Sequence, residues 1–143
     1  MRFRSALLPA ILGALLAVPV LQAGEAVNKA NPGQAVDVAS VLKKTSATKF
    51  FIVDFYSKFC PPCMRISPLL EQLGEKRPDV QVVKLDINRP DVQGIDWQSP
   101  LAKQYGLQSI PHFKIYDASG KLVKEGDSAY KEVVGWLKQA NLI

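Results

Sequence analysis

Two cysteines, the only ones among 143 residues, stand two residues apart in Phe59-Cys60-Pro61-Pro62-Cys63. The patterns on either side fix where they sit. Upstream, Phe50 to Tyr56 is a dense apolar run, rich in β-branched and aromatic residues and broken by one carboxylate, Asp54. Such a run predicts a buried strand. Downstream, Ile66, Leu69, Leu70 and Leu73 recur at i, i+3, i+4 and i+7, which predicts a helix with one buried face. The thiols therefore sit at a strand-to-helix junction, on the first turn of the helix.

Helix geometry gives this placement a chemistry. With Cys60 as N-cap, Pro61 takes the first helical position, where a fixed φ and a missing N–H cost nothing. Cys63 then faces Cys60 across one turn, close enough to close a small disulfide ring. The helix N-terminus favours an anionic sulfur at Cys60, so Cys60 is the attacking thiol. A mixed disulfide formed there can be resolved by Cys63, completing a cycle of thiol–disulfide exchange. An N-cap group accepts from the second or third helical amide, and Pro62 has none, so only the Cys63 amide remains. The thiolate of Cys60 is expected to be stabilised, but only modestly. A structural zinc site would need four ligands, and the chain offers these two cysteines and one histidine. A soft Cu(I) site built from Cys60, Cys63 and His112 is the rival reading, making the chain a copper-binding assembly factor.

Met1 to about Ala26 has a basic start, an apolar stretch from Ala6 to Leu21 and then small residues. This is the pattern of an export signal, with an uncleaved N-terminal anchor as the alternative. The apolar stretch is short and interrupted by Pro9 and Pro19, a poor match to a bilayer span of ~20 residues. Export places the chain where disulfides persist, in bacteria the periplasm. Residues 27–34, with Asn31-Pro32-Gly33, predict a linker, and residues 35–143 a single domain large enough for a core. The formal charge is +5 with scattered lysines and no basic stripe, which argues against nucleic acid. Nothing in the sequence calls for an oligomer, so a monomer is expected.

Within the domain, Ala35 to Thr45 predicts a short amphipathic helix ending in lysines. Val80 to Ile87 is a second apolar strand. Strand, helix and strand in this order form a βαβ unit with parallel pairing. Asn88 to Gln98 is a long polar connection, either a variable surface loop or one that meets a partner. Ser99-Pro100 opens a short helix over Leu101 to Tyr105. His112 to Tyr116, the turn Asp117-Ala118-Ser119-Gly120 and Lys121 to Glu125 predict an antiparallel hairpin. A last helix from about Ser128 to Gln139 buries Val133, Trp136 and Leu137, with Tyr130 a further candidate.

The segment Val53-Asp54-Phe55-Tyr56-Ser57-Lys58-Phe59-Cys60-Pro61-Pro62-Cys63, with Pro68 beyond it, resembles the active-site segment of the thioredoxin family. Ser109-Ile110-Pro111 before an apolar strand and Val83-Lys84-Leu85-Asp86 are similar to two further family segments. The resemblance covers roughly Lys49 to Ile143 and implies an α/β thioredoxin fold, a central mixed sheet flanked by helices. It implies that Asp54 assists proton transfer at Cys63 with Lys84 tuning it, and that Ile110-Pro111 is a cis bond whose backbone pairs with an extended substrate. Phe59, Pro61 and Pro62 would border the docking surface. Relative to the family pattern, Asn88 to Gln98 looks like an insertion, and His112 departs from the usual residue at its place.

These readings converge on an exported thiol–disulfide oxidoreductase acting on protein thiols, with no organic cofactor because the electrons reside in the two sulfurs. The Pro-Pro pair lacks the histidine found between the cysteines of strong periplasmic oxidants. That favours a reductant or electron relay, with a membrane relay among its conceivable partners.

Overall fold

Parallel and antiparallel pairing meet at a central strand, β1 (Phe50–Tyr56), in a computed structural model that describes residues 26–45 and 49–143. Residues 1–25 of the expected export segment lie outside the described residues. In chain order the remaining elements are α1 (Val38–Lys44), α2 (Pro61–Lys76), β2 (Val80–Asp86), α3 (Pro100–Gln104), β3 (His112–Asp117), β4 (Leu122–Glu125) and α4 (Gly126–Gln139). The sheet order is β2-β1-β3-β4. β1 runs parallel to β2 and antiparallel to β3, and β4 is antiparallel to β3. The architecture is the expected mixed sheet with helices on both faces, in one domain. No helix among the described residues is long and apolar enough to cross a membrane.

Side chains alternate across a strand, and β1 uses both sets. Phe51, Val53 and Phe55 join Val38, Leu42, Val83, Leu85, Ile87 and Leu101 in a core under α1 and α3. Ile52 faces the other way and joins Ile66, Leu70 and Leu73 of α2, Phe113 and Ile115 of β3, and Val133, Trp136 and Leu137 of α4. Asp54 therefore falls on the face covered by α2 and α4. The helical spacing of Ile66, Leu70 and Leu73 is what glues α2 there. Leu69, counted in the same stripe, is only half-buried. Pro68 lies inside α2 with no N–H for the carbonyl four residues back, and it is exposed.

Several expectations are adjusted. α1 begins at Val38, because the Asp37 carboxylate caps it by accepting from the Ala39 amide and the Ser40 hydroxyl. α4 begins at Gly126, straight off β4, with Gly126 at φ 59°. Tyr130 is exposed, although one face of its ring stacks on Phe113 at 5.8 Å. The turn after β3 is tied by Asp117, whose Oδ1 accepts from Ser119 and Lys121 amides.

Residues 27–34, expected as a linker, form a strap along the outer edge of β2. The Val27 amide donates to the Lys84 carbonyl at 2.9 Å and the Gly33 amide to the Asp86 carbonyl at 2.9 Å. Asn28 is buried and bonds both backbone groups of Asp86, at 2.8 and 3.0 Å. A polar stretch with Asn-Pro-Gly carries no apolar periodicity. Its docking uses backbone and amide groups that pattern reading does not register.

Candidate active site

The end of β1 and the start of α2 build the cysteine turn. The Cys60 amide donates to the Ser57 carbonyl at 3.1 Å, folding the chain back after the strand. Cys60 is the N-cap of α2, in extended geometry, with Pro61 and Pro62 at the first helical positions. Its Sγ accepts from the Cys63 amide at 3.2 Å, the one amide that the double proline leaves in reach. The two sulfurs are bonded, 2.07 Å apart, with Cα atoms separated by 5.3 Å. Cys63 is fully buried and Cys60 is 2% exposed, whereas Pro61 and Pro62 are exposed. Phe59 is half-buried, with the Lys58 ammonium over its ring at 5.1 Å.

The Ile110–Pro111 bond is cis, as the family resemblance implied. The Ile110 carbonyl oxygen stands 3.6 Å from Cys60 Sγ. In the dithiol form that oxygen can accept from the Cys60 thiol. Ile110 and Pro111 are both half-buried beside the disulfide.

Asp54 is fully buried, and neither carboxylate oxygen has a hydrogen-bond partner among the described residues. Burial in this apolar setting raises its pKa to about 7, the charge of Lys84 pulling partly the other way. Lys84 lies opposite Asp54 in the parallel register of β1 and β2. Its Nζ binds Glu71 Oε1 of α2 at 3.0 Å and sits 5.1 Å from the Tyr56 ring centroid. A carboxyl group whose pKa is raised to about 7 thus lies on the sheet face that α2 covers, beneath the helix that carries Cys63.

His112 is placed elsewhere. It pairs with Phe55 in the β1–β3 register and meets its ring edge-on at 6.0 Å. That puts it on the sheet face opposite Asp54 and α2. Burial and the Lys114 charge lower its pKa, and its Nε2 has no hydrogen-bond partner among the described residues. Among the described residues no three His, Cys, Asp or Glu side chains group as metal ligands. The copper reading expected Cys60, Cys63 and His112 to converge, and the structure does not bring them together.

Sequence reading missed Glu71, Ser57 and Asn88. Glu71 occupies an ordinary polar position of an amphipathic helix, and only the packing of α2 on β2 shows that it meets Lys84. Ser57 and Asn88 are polar residues at strand ends, where turns are the default expectation, yet both are buried and bonded to each other at 2.5 Å.

A thioredoxin family model matches residues 38–139, which include the cysteine turn, Asp54, Lys84 and Pro111. The chain belongs to the thioredoxin family. It is 38% identical to chloroplastic thioredoxin F1 of Arabidopsis thaliana over 68% of its own length and 51% of the relative's. To a thioredoxin of Streptomyces clavuligerus it is 32% identical over 73% of this chain and 80% of that one. The chain spans about half the length of the first chloroplastic relatives it matches. Among solved structures, it aligns with the thioredoxin f2 complex of ferredoxin:thioredoxin reductase at 31% identity and TM-score 0.52, covering 76% of this chain and 94% of that one. The short form of spinach chloroplast thioredoxin f shares the fold, with TM-score 0.55 at 24% identity over 86% of this chain and 99% of that one.

Proposed function

We propose that this thioredoxin-family chain is an exported thiol–disulfide oxidoreductase that reduces, or relays electrons to, protein disulfides. The observation that carries the reading is the bonded Cys60–Cys63 pair at the tip of α2, with the Cys63 amide aimed at Cys60 Sγ. In the reduced protein the Cys60 thiolate attacks one sulfur of a substrate disulfide. The substrate S–S bond breaks, and its second sulfur leaves as a thiolate that takes a proton from solvent. The Cys63 thiol then passes its proton to Asp54 by way of water and attacks Cys60 Sγ, releasing the first substrate sulfur. Two electrons have moved to the substrate, and the Cys60–Cys63 disulfide has closed.

Asp54 suits this step because an acceptor with a pKa near the working pH both takes and returns a proton efficiently. Lys84 tunes it from the neighbouring strand. Ile110 and Pro111, with Phe59, Pro61 and Pro62, border the sulfur and offer an extended substrate chain a backbone edge. No organic cofactor takes part. The direction of flow rests on the double proline, which supplies no charge between the cysteines and no amide at the second helical position to cap the sulfur.

Export rests on residues 1–26, whose basic start and apolar run suit a signal or anchor. With the full chain produced in a bacterium, periplasmic recovery is expected, and recovery solely in the cytosol overturns the location. The chemistry is tested by reduction of a protein disulfide and by equilibration with glutathione buffers. Cys60→Ser should abolish turnover, whereas Cys63→Ser should accumulate a mixed disulfide at Cys60. A Cys60→Ser variant that reduces the substrate at the parent's rate, or a parent with no redox equilibrium, overturns the reading.

A further inference from the structure

The turn that carries Cys60 is held from two sides. One is α2. The other is the connection from Asn88 to Gln98, through a continuous set of hydrogen bonds. Ser57, fully buried, donates its hydroxyl to Asn88 Oδ1 at 2.5 Å and accepts the Phe59 amide on the same oxygen at 3.1 Å. Its carbonyl takes the Cys60 amide. Asn88 is 3% exposed. Its Nδ2 donates to the Gly94 carbonyl at 2.6 Å, and its Oδ1 also accepts the Asp96 amide at 3.3 Å. Its own amide donates to Asp86 Oδ1 at 2.9 Å. Asp96, equally buried, is clamped by Arg89 through Nε at 2.7 Å and Nη2 at 3.1 Å. The series runs from the Arg89 guanidinium to the backbone beside the sulfur.

Buried polar groups left without partners are costly, and a fully bonded set is correspondingly rigid. Here that rigidity is delivered to Phe59 and to the N-cap residue Cys60 through their amides. The contact between Cys60 Sγ and the Cys63 amide depends on the backbone angles of Cys60, and a hydrogen bond weakens steeply once misaligned.

We propose that Ser57 and Asn88 are positioning residues for the reactive sulfur, and that the Asn88–Gln98 connection is the brace that fixes the Cys60 turn. The assignment rests on the reading of Cys60 as the attacking sulfur. The brace acts before substrate arrives, by holding Phe59 and Cys60 in the geometry that α2 requires of its N-cap. It accounts for a long polar connection that is pulled inward, with its asparagine and aspartate buried.

The test compares Ser57→Ala with Asn28→Ala in the reduced protein, following Cys60 by ultraviolet thiolate absorbance across pH and by its rate of mixed-disulfide formation. Asn28 bonds the same end of β2 through Asp86 but makes no side-chain hydrogen bond to residues 57–60. Its loss should lower the urea midpoint and leave both Cys60 readouts unchanged. Ser57→Ala should raise the Cys60 titration midpoint by about half a unit, and slow attack about threefold at a pH below that midpoint. Parent-like readouts in Ser57→Ala, or an equal shift in Asn28→Ala, overturn the proposal. Should Ser57→Ala fail to fold, Arg89→Ala at the outer end of the series is expected to move both readouts the same way, and its failure to do so overturns it. A parent that titrates but reduces no disulfide defeats the functional reading instead, and the brace is still decided by the titration.

Discussion

A carboxyl group in the centre of an apolar sheet face ionises at the expense of folding, and Asp54 is in that position. Its pKa in the folded chain is about 7 against an ordinary 3.8. Below both values the group is neutral in folded and unfolded states alike and costs nothing. As pH rises from about 4 through 7 the unfolded chain gives up its proton first, so stability falls by roughly 4 kcal/mol in total. Asp54→Asn is therefore expected to be more stable than the parent at about pH 8 and to match it near pH 3, as read from urea midpoints. The same substitution should slow the release of a mixed disulfide at neutral pH, because it removes the proton acceptor proposed for Cys63. That cost to activity and gain in stability should appear in one variant, and parent-like release rates would remove Asp54 from the proton path.

At the scale of elements, α2 determines the character of Cys60, and its opening residues set how much. Pro62 withholds the second helical amide, leaving only the Cys63 donor at 3.2 Å. Pro62→Ala restores that amide. A further hydrogen bond to the thiolate is worth about 1 kcal/mol. The Cys60 titration midpoint should therefore fall by up to one unit. Stabilising the thiolate stabilises the reduced protein, so the reduction potential should rise by ~20 mV, measured against glutathione. A more negative potential in this variant would contradict the account of the double proline. The cysteine turn, its N-cap and both prolines were legible in the sequence because they depend on residues within one helical turn. Helix start positions were less so. α4 begins two residues early because Gly126, at φ 59°, turns directly out of β4, a device that the apolar periodicity of the helix does not carry.

Across the whole molecule, the sheet edge beside the site is closed by the strap of residues 26–34. Gly33 is the point where it fits most tightly. At φ 75°, a Cβ there would lie 2.6 Å from the Arg89 amide nitrogen and 2.8 Å from the Asn88 carbonyl carbon. Both are backbone atoms that cannot swing aside, and the φ itself disfavours a side chain. Gly33→Ala should therefore lower stability by ~1–3 kcal/mol, checked by urea unfolding. A stability equal to the parent's would mean that the strap can lift from β2 without cost. Because Gly33 abuts Asn88, the strap and the brace of the Cys60 turn share one packed corner.

Residue pattern by itself determined the strand, turn and helix around the cysteines, the βαβ order, the hairpin and the buried carboxylate. Each is written in local periodicity or in one residue of the wrong polarity for its place. The approach of Ile110 to Cys60 across 50 residues was implied only by the family resemblance, whereas tertiary structure alone decided that Ser57 meets Asn88 across 31 residues and that Asn28 locks onto Asp86 across 58. It also set His112 on the far side of the sheet and gave Lys84 a partner in Glu71. Such contacts depend on strand register and helix docking, which the combined burial of two cores fixes and no short stretch of sequence encodes.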